Sequence, residues 1–163
     1  MIFVSVGTQK FQFNRLLEYI DLLIEKNIIT NDVFAQIGYS TYIPKHYEYT
    51  FFLNHVDFQN MLRNCDFFIT HSGVGSLLEG LRLNKQIIVC PRQKKFKEHV
   101  DNHQNEIFKK FLENNYIFNG KTYENIKESI EKIEQNEIKN KISFIDSINN
   151  VEYEIIKFLE SEK

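Results

Sequence analysis

The chain of 163 residues has only two cysteines, two prolines and six glycines. Nowhere does it string together the ~20 apolar residues that a membrane helix requires. Cys65 and Cys90 lie far apart inside apolar stretches, which fits buried thiols in a reducing cytosol better than a disulfide framework. The opening run Met1-Ile-Phe-Val-Ser-Val-Gly7 carries no basic region and no cleavage site, so neither a signal peptide nor a membrane span is expected. A formal net charge of -2 spreads no uniform positive field, and nucleic acid is not an expected partner. There is no internal repeat, no low-complexity tract and no linker rich in Pro or Gly, so one domain is the working assumption. Asp-x-Asp is absent as well, leaving no sequence support for a carboxylate-held metal.

What the chain does have is a series of short apolar runs, each followed by a segment with helical spacing. Ile2 to Val6 reads as a first strand closed by Gly7-Thr8, followed by a helix carrying Phe13, Leu16, Leu17, Ile20, Leu23 and Ile24. Val33 to Ile37 predicts a second strand, Thr50 to Leu53 a third with a short helix around Gln59 to Arg63, and Phe67 to Thr70 a fourth. A helix with Val74, Leu77, Leu78 and Leu81 on one face comes next, then a fifth strand, Gln86 to Cys90, stopped by Pro91. Asp101 is placed to cap a further helix, with Gln104 three residues on as in a capping box; Tyr116 to Phe118 could be a last strand. Continuous apolar strands separated by amphipathic helices are covered on both faces, which predicts an α/β fold with a Rossmann-like parallel sheet wound with helices. Residues 1–120 form the expected core. In residues 121–163 the stripes Tyr123, Ile126, Ile130, Ile133 and Ile138 to Leu159 predict C-terminal helices that pack on the core or on a partner.

Ligands of such sheets bind outside the carboxyl ends of the strands, where Gly7-Thr8, His71 to Ser76 and the segment from Pro91 onward all fall. The stretch Ser72-Gly-Val-Gly-Ser-Leu-Leu-Glu79 follows a strand and opens a helix. Gly73 and Gly75 let a backbone approach closely, Ser72 and Ser76 add hydroxyls, and the positive helix end suits a diphosphate. Glu79, one turn beyond Ser76, could accept from ribose hydroxyls. A third glycine is missing and the motif follows the fourth strand, so a nicotinamide enzyme is not expected. Arg92 brings a planar fork that suits paired oxygens, beside lysines at 94, 95 and 97 that are either solvated or turned to an anionic membrane surface. His99 and His103 stand four apart, as metal ligands can, yet a cap at Asp101 leaves His99 outside the helix and no third ligand has compatible spacing. The remaining readings of that segment are a plain surface helix start or one where His103 and Gln104 contact the ligand.

Taken together, Val6-Gly-Thr8, His71-Ser-Gly-Val-Gly-Ser-Leu-Leu-Glu79, Pro91-Arg92 and Glu98-His-Val-Asp-Asn-His-Gln104 resemble the C-terminal half of a family 28 glycosyltransferase. The likeness covers residues 1 to about 118 and is greatest to the single-domain subunits of split enzymes, both eukaryotic dolichol-linked and bacterial capsule or exopolysaccharide ones. The Pro91-to-His99 segment resembles the bacterial branch most. Asn102 departs from the acid often found there, and Val74 and Leu77 are bulkier than the usual loop residues.

The resemblance implies the nucleotide-binding half of a GT-B fold that takes a UDP-sugar, needs no cofactor, and works at the inner face of a membrane. A membrane-anchored partner would supply the half that binds a lipid-linked acceptor. It also implies roles: Ser72, Gly73 and Ser76 at the diphosphate or base, Glu79 at the ribose, and His103 and Gln104 at phosphate or sugar. The expected reaction is an inverting, metal-independent hexosyl transfer, whose general base lies on the face of the sugar opposite UDP and so can reside in the partner. His71 and His99 are the local candidates for that base, since a histidine near its ordinary pKa accepts a proton at neutral pH. The competing expectation is a non-catalytic nucleotide-sugar-binding or assembly module.

Overall fold

A computed structural model describes residues 1–135 and Lys157. The strands are β1 (Ile2–Ser5), β2 (Val33–Gln36), β3 (Glu48–Thr50), β4 (Phe67–Thr70), β5 (Ile87–Val89) and β6 (Phe118–Asn119). They form one sheet in the order β3-β2-β1-β4-β5-β6, and every pairing is parallel. The helices are α1 (Asn14–Glu25), α2 (His55–Asn64), α3 (Val74–Arg82), α4 (His103–Glu113) and α5 (Tyr123–Glu134).

Alternation along the strands divides the core between two faces. Ile2, Val4, Phe67, Ile69 and Ile88 join Leu16, Leu17, Ile20 and Leu23 of α1 and Ile126, Ile130 and Ile133 of α5. Phe3, Phe68, Ile87 and Val89 point the other way, onto Leu62 of α2, Leu77 and Leu81 of α3, and Ile107, Phe108 and Phe111 of α4. A strand buried on both faces has no polar alternation, which is why these runs read as continuously apolar. Phe3 and Phe68 stack with ring centroids 5.3 Å apart, and Phe58 meets Phe3 edge-on at 5.2 Å. Burying such rings contributes roughly 1.5–3 kcal/mol each before cavity effects.

Chain order leaves β1 in both directions, to β2 and β3 on one side and to β4 on the other. That is the topological switch point, where the loops after two neighbouring strands diverge and leave a crevice. Register makes it symmetric: Ser5 pairs with Thr70, so β1 and β4 end level and their loops emerge side by side.

Four elements differ from expectation, among them the last strand, which pairs over Phe118–Asn119 and not Tyr116 to Phe118. The third strand pairs over Glu48–Thr50, because the chain leaves the sheet edge after Thr50, with Phe51 and Phe52 exposed beyond it. Helix α2 starts four residues early, at His55, where the Asn54 side chain accepts from the Asp57 N–H at 2.9 Å. Helix α4 begins at His103. Asp101 accepts from the His103 N–H at 2.9 Å, while the Gln104 side chain turns to the Arg92 N–H at 3.2 Å and closes no capping box. The isoleucine stripe from Ile138 to Leu159 lies outside the described residues.

Candidate functional site

At the switch point lies an open cleft of about 340 Å³. Gly7, Thr8 and Gln9 wall it from the loop after β1, and His71, Gly73, Gly75, Ser76 and Glu79 from the loop and helix after β4. Gln36, Leu53, His55 and Phe58 close the third side.

Two glycines are demanded by one histidine. Gly7 sits at φ 79°, in the left-handed region, and a Cβ there would stand 2.5 Å from His71 Cε1. A Cβ on Gly73 would lie 2.2 Å from His71 Nε2. The ring is thus wedged between the two loops and locks them together. Gly75 is different: it lines the cleft, and a Cβ there would meet no protein atom within 4 Å. Nothing in the fold requires glycine at that position, whereas a ligand lying against the backbone would.

Helix α3 presents its amino end to this space. Its first N–H groups, those of Val74, Gly75 and Ser76, have no intrahelical acceptor by geometry. No side chain caps them, and the first turn holds no acidic residue. The Ser72 hydroxyl, fully buried just ahead of the helix, has no hydrogen-bond partner. Unpaired N–H groups at a positive helix end beside an open hollow have the chemistry to hold an anion. Glu79, one turn along the same helix, has its carboxylate 3.9 Å from the His55 ring. It is partly exposed on the cleft wall, free to accept from hydroxyl groups.

His71 is not the proton acceptor that its residue type suggests. Burial, followed by the positive charges of Arg92 and His99, pushes its pKa down to about 3. Its tautomer follows from its neighbours: the Thr70 hydroxyl donates to the Ser5 carbonyl at 2.8 Å, so Nδ1, 3.2 Å from that hydroxyl, carries the ring proton. Neutral imidazole with Nε2 as an acceptor is its resting form.

Arg92 also departs from expectation. Its side chain is wholly buried, with Nη2 donating to the Val6 carbonyl and Nη1 to those of Phe11, Gln12 and Glu98, at 2.6–3.2 Å. The fork ties the loop after β1 to the loop after β5, while its Nε is buried without a hydrogen-bond partner. Burial lowers its pKa to about 10, against the opposing pull of the Glu98 carboxylate, and leaves it charged. Glu98 itself is bonded to Arg15, whose Nε and Nη2 both reach it at 2.9 Å. Gln104 is buried against the Arg92 backbone. His99 contacts Asp101 at 2.9 Å and the Phe11 ring at 5.6 Å, and His103 lies 3.7 Å from Glu106. These residues organise the edge beside the cleft without lining it. Among the described residues no group of three or more His, Cys, Asp and Glu is arranged to hold a metal ion.

Of the residues singled out from sequence, Gly7, Thr8, His71, Gly73, Gly75, Ser76 and Glu79 meet in one hollow, with Ser72 buried beneath. Gln9 joins Gly7 and Thr8 on the wall, and Gln36, Leu53, His55 and Phe58 were missed. Gln36 left a signal, a polar side chain ending an apolar strand just before Gly38; it accepts from the Leu53 N–H at 2.9 Å and so pins that wall.

A doubly wound parallel sheet with a crevice at its switch point is the Rossmann-like architecture that forms one half of a GT-B fold. The model of the glycosyltransferase family 28 C-terminal domain matches residues 1–157, and the chain belongs to that family. It is 43% identical over 61 residues to the UDP-N-acetylglucosamine transferase subunit ALG13 of Saccharomyces cerevisiae, a stretch covering 37% of this chain and 28% of the yeast protein. In fold it is similar to the solution structure of ALG13, with a TM-score of 0.60, 21% identity, and coverage of 92% of this chain and 93% of that one. It is similar also to the calicheamicin glycosyltransferase CalG4, with a TM-score of 0.55, 14% identity, and coverage of 98% of this chain but 43% of the larger enzyme.

Proposed function

We propose that this chain is the donor-binding subunit of a split glycosyltransferase, taking a UDP-sugar in the cleft and passing its hexosyl group to a lipid-linked acceptor held by a membrane-anchored partner. The observation that carries this reading is the uncapped amino end of α3 opening onto a hollow that Gly75 leaves clear and Glu79 borders. In this reading the N–H groups of Val74, Gly75 and Ser76 and the orphaned Ser72 hydroxyl receive the diphosphate, and the Glu79 carboxylate accepts from the ribose. Gly7 and Thr8 close the opposite side. The relative in yeast is named as a subunit of a UDP-N-acetylglucosamine transferase, which supports both the donor class and the need for a second chain.

The chemistry follows from charge. As the sugar–oxygen bond breaks, negative charge accumulates on the departing UDP, and fixed backbone donors at a helix end stabilise it without reorganising. Among the described residues no Lys or Arg lines the wall, and Arg92 is bonded to loop carbonyls, so backbone dipoles carry that task within this chain. With His71 held neutral and weakly basic, and His99 off the cleft wall against Asp101, the group that deprotonates the acceptor hydroxyl belongs to the partner, on the sugar face remote from UDP; inversion at the anomeric carbon follows from that placement.

The test is transfer from labelled UDP-sugar to a lipid-linked acceptor by the complex of this chain with its partner. Glu79→Ala should abolish transfer while the complex still assembles. Full-rate transfer by the partner alone would refute the proposal and leave a non-catalytic binding module.

A further inference from the structure

Lys94, Lys95, Phe96 and Lys97 are all exposed, on a single 3-10 turn that projects from the carboxyl edge of the sheet. Phe96 is 43% exposed and Val100, just beyond, 62%. The Phe96 ring meets the Arg15 guanidinium at 4.9 Å and the Lys95 ammonium at 4.7 Å, and the rest of it stays exposed on a turn otherwise made of lysine. The turn is not slack. The buried Glu98 carboxylate accepts from the Gln93 N–H at 2.9 Å, Asn102 from the Lys94 N–H at 3.2 Å, and the Gln12 side chain donates to the Phe96 carbonyl at 2.9 Å. Lys97 is held at φ 57°, which few non-glycine residues adopt. Lys10 is exposed on the neighbouring loop, whose Phe11 packs on His99. Four lysines therefore surround two protruding apolar side chains on a protein whose net charge is -2. Of the nearby carboxylates Glu98 is buried on Arg15, and Asp101, half-exposed beside Val100, accepts from the His103 N–H and contacts His99.

We propose that this turn is a membrane-docking element of the chain itself, with Phe96 and Val100 entering the headgroup region of an anionic bilayer and Lys10, Lys94, Lys95 and Lys97 lying against its charged lipids. Apolar tips ringed by lysine are the chemistry that interfacial binding uses, combining buried apolar area with attraction to anionic headgroups. Among the described residues no helix is long and apolar enough to cross a membrane, so attachment through this element is peripheral. The inference stands on the turn alone. If the proposed function also holds, docking turns the edge that carries the cleft toward the surface where a lipid-linked acceptor resides.

The experiment is co-sedimentation of the full chain with phosphatidylcholine vesicles, with and without phosphatidylglycerol, at low and high salt. Binding should require the anionic lipid and fall with salt. Each lysine is worth about fivefold in partitioning, so Lys95→Glu with Lys97→Glu should lower binding by about 25-fold or more. Phe96→Ala should weaken it while leaving the salt dependence. UDP binding by these variants, measured without vesicles, should be unchanged, which separates failure of this inference from failure of the nucleotide reading and reports intact folding. Absence of vesicle binding, equal binding to neutral vesicles, or anionic binding that survives both charge reversals would overturn the proposal.

Discussion

Holding His71 neutral makes the stability of this protein depend on pH below neutrality. The ring is buried, its Nδ1 faces the Thr70 hydroxyl, and its pKa falls from 6.5 to about 3. A histidine whose folded pKa lies below its unfolded value contributes stability in full above the unfolded pKa. That contribution is lost as pH falls toward the folded pKa, because the unfolded chain binds the proton first. Between pH 7 and pH 5 the loss from this one group is about 2 kcal/mol, at roughly 1.4 kcal/mol per unit once below 6.5. For a chain of this size that corresponds to a fall of about 4–8 °C in Tm. Urea unfolding followed by circular dichroism at both pH values, on the native chain and on His71→Asn, isolates the term. The asparagine keeps a donor toward Thr70 and lacks the titration. The variant should be less stable at pH 7 through lost packing, but its stability should change by about 2 kcal/mol less between the two pH values. Equal pH slopes for the two proteins would refute the burial argument.

The two helix-start glycines should separate cleanly. Gly73→Ala, with its methyl driven into His71, should cost about 1–3 kcal/mol in urea unfolding. Gly75→Ala should keep or gain up to about 1 kcal/mol and yet weaken UDP binding in calorimetry. Glu79→Gln should lower UDP affinity by about 1.5–3 kcal/mol and erase the preference for UDP over its 2′-deoxy analogue; an undiminished preference would remove Glu79 from the ribose. Arg92→Lys cannot reach four carbonyls with one ammonium and should destabilise the fold by about 3–5 kcal/mol, a large fall in urea midpoint that a purely ligand-contacting arginine would not show.

How far the sequence could be read depended on how local each determinant was. The fourth strand, Phe67–Thr70, and the helix from Val74 were legible because a buried parallel strand and an amphipathic helix announce themselves within a dozen residues. The third strand was misplaced because Phe51 and Phe52 look like core from sequence but lie on an exposed rim beyond a sheet edge. Gly73 and Gly75 read alike in sequence, and only the position of His71 shows that one serves packing and the other the open cleft. Arg92 was the least legible. Three of its four carbonyl partners stand at positions 6, 11 and 12, some eighty residues away in the chain, so little around Pro91 could signal that its fork faces inward. Leu53, His55 and Phe58 escaped for a related reason, since they reach the cleft from a strand–helix connection whose own pattern is unremarkable.

The central claim is that the amino end of α3 receives a diphosphate across the switch point of the sheet. Titrating UDP into the isotopically labelled chain and following backbone amides by heteronuclear NMR addresses it directly. The amides of Gly7, Thr8, Val74, Gly75 and Ser76 should move together, saturably and more with UDP than with uridine. Shifts that leave Val74 to Ser76 unmoved, or that uridine reproduces in full, would contradict it.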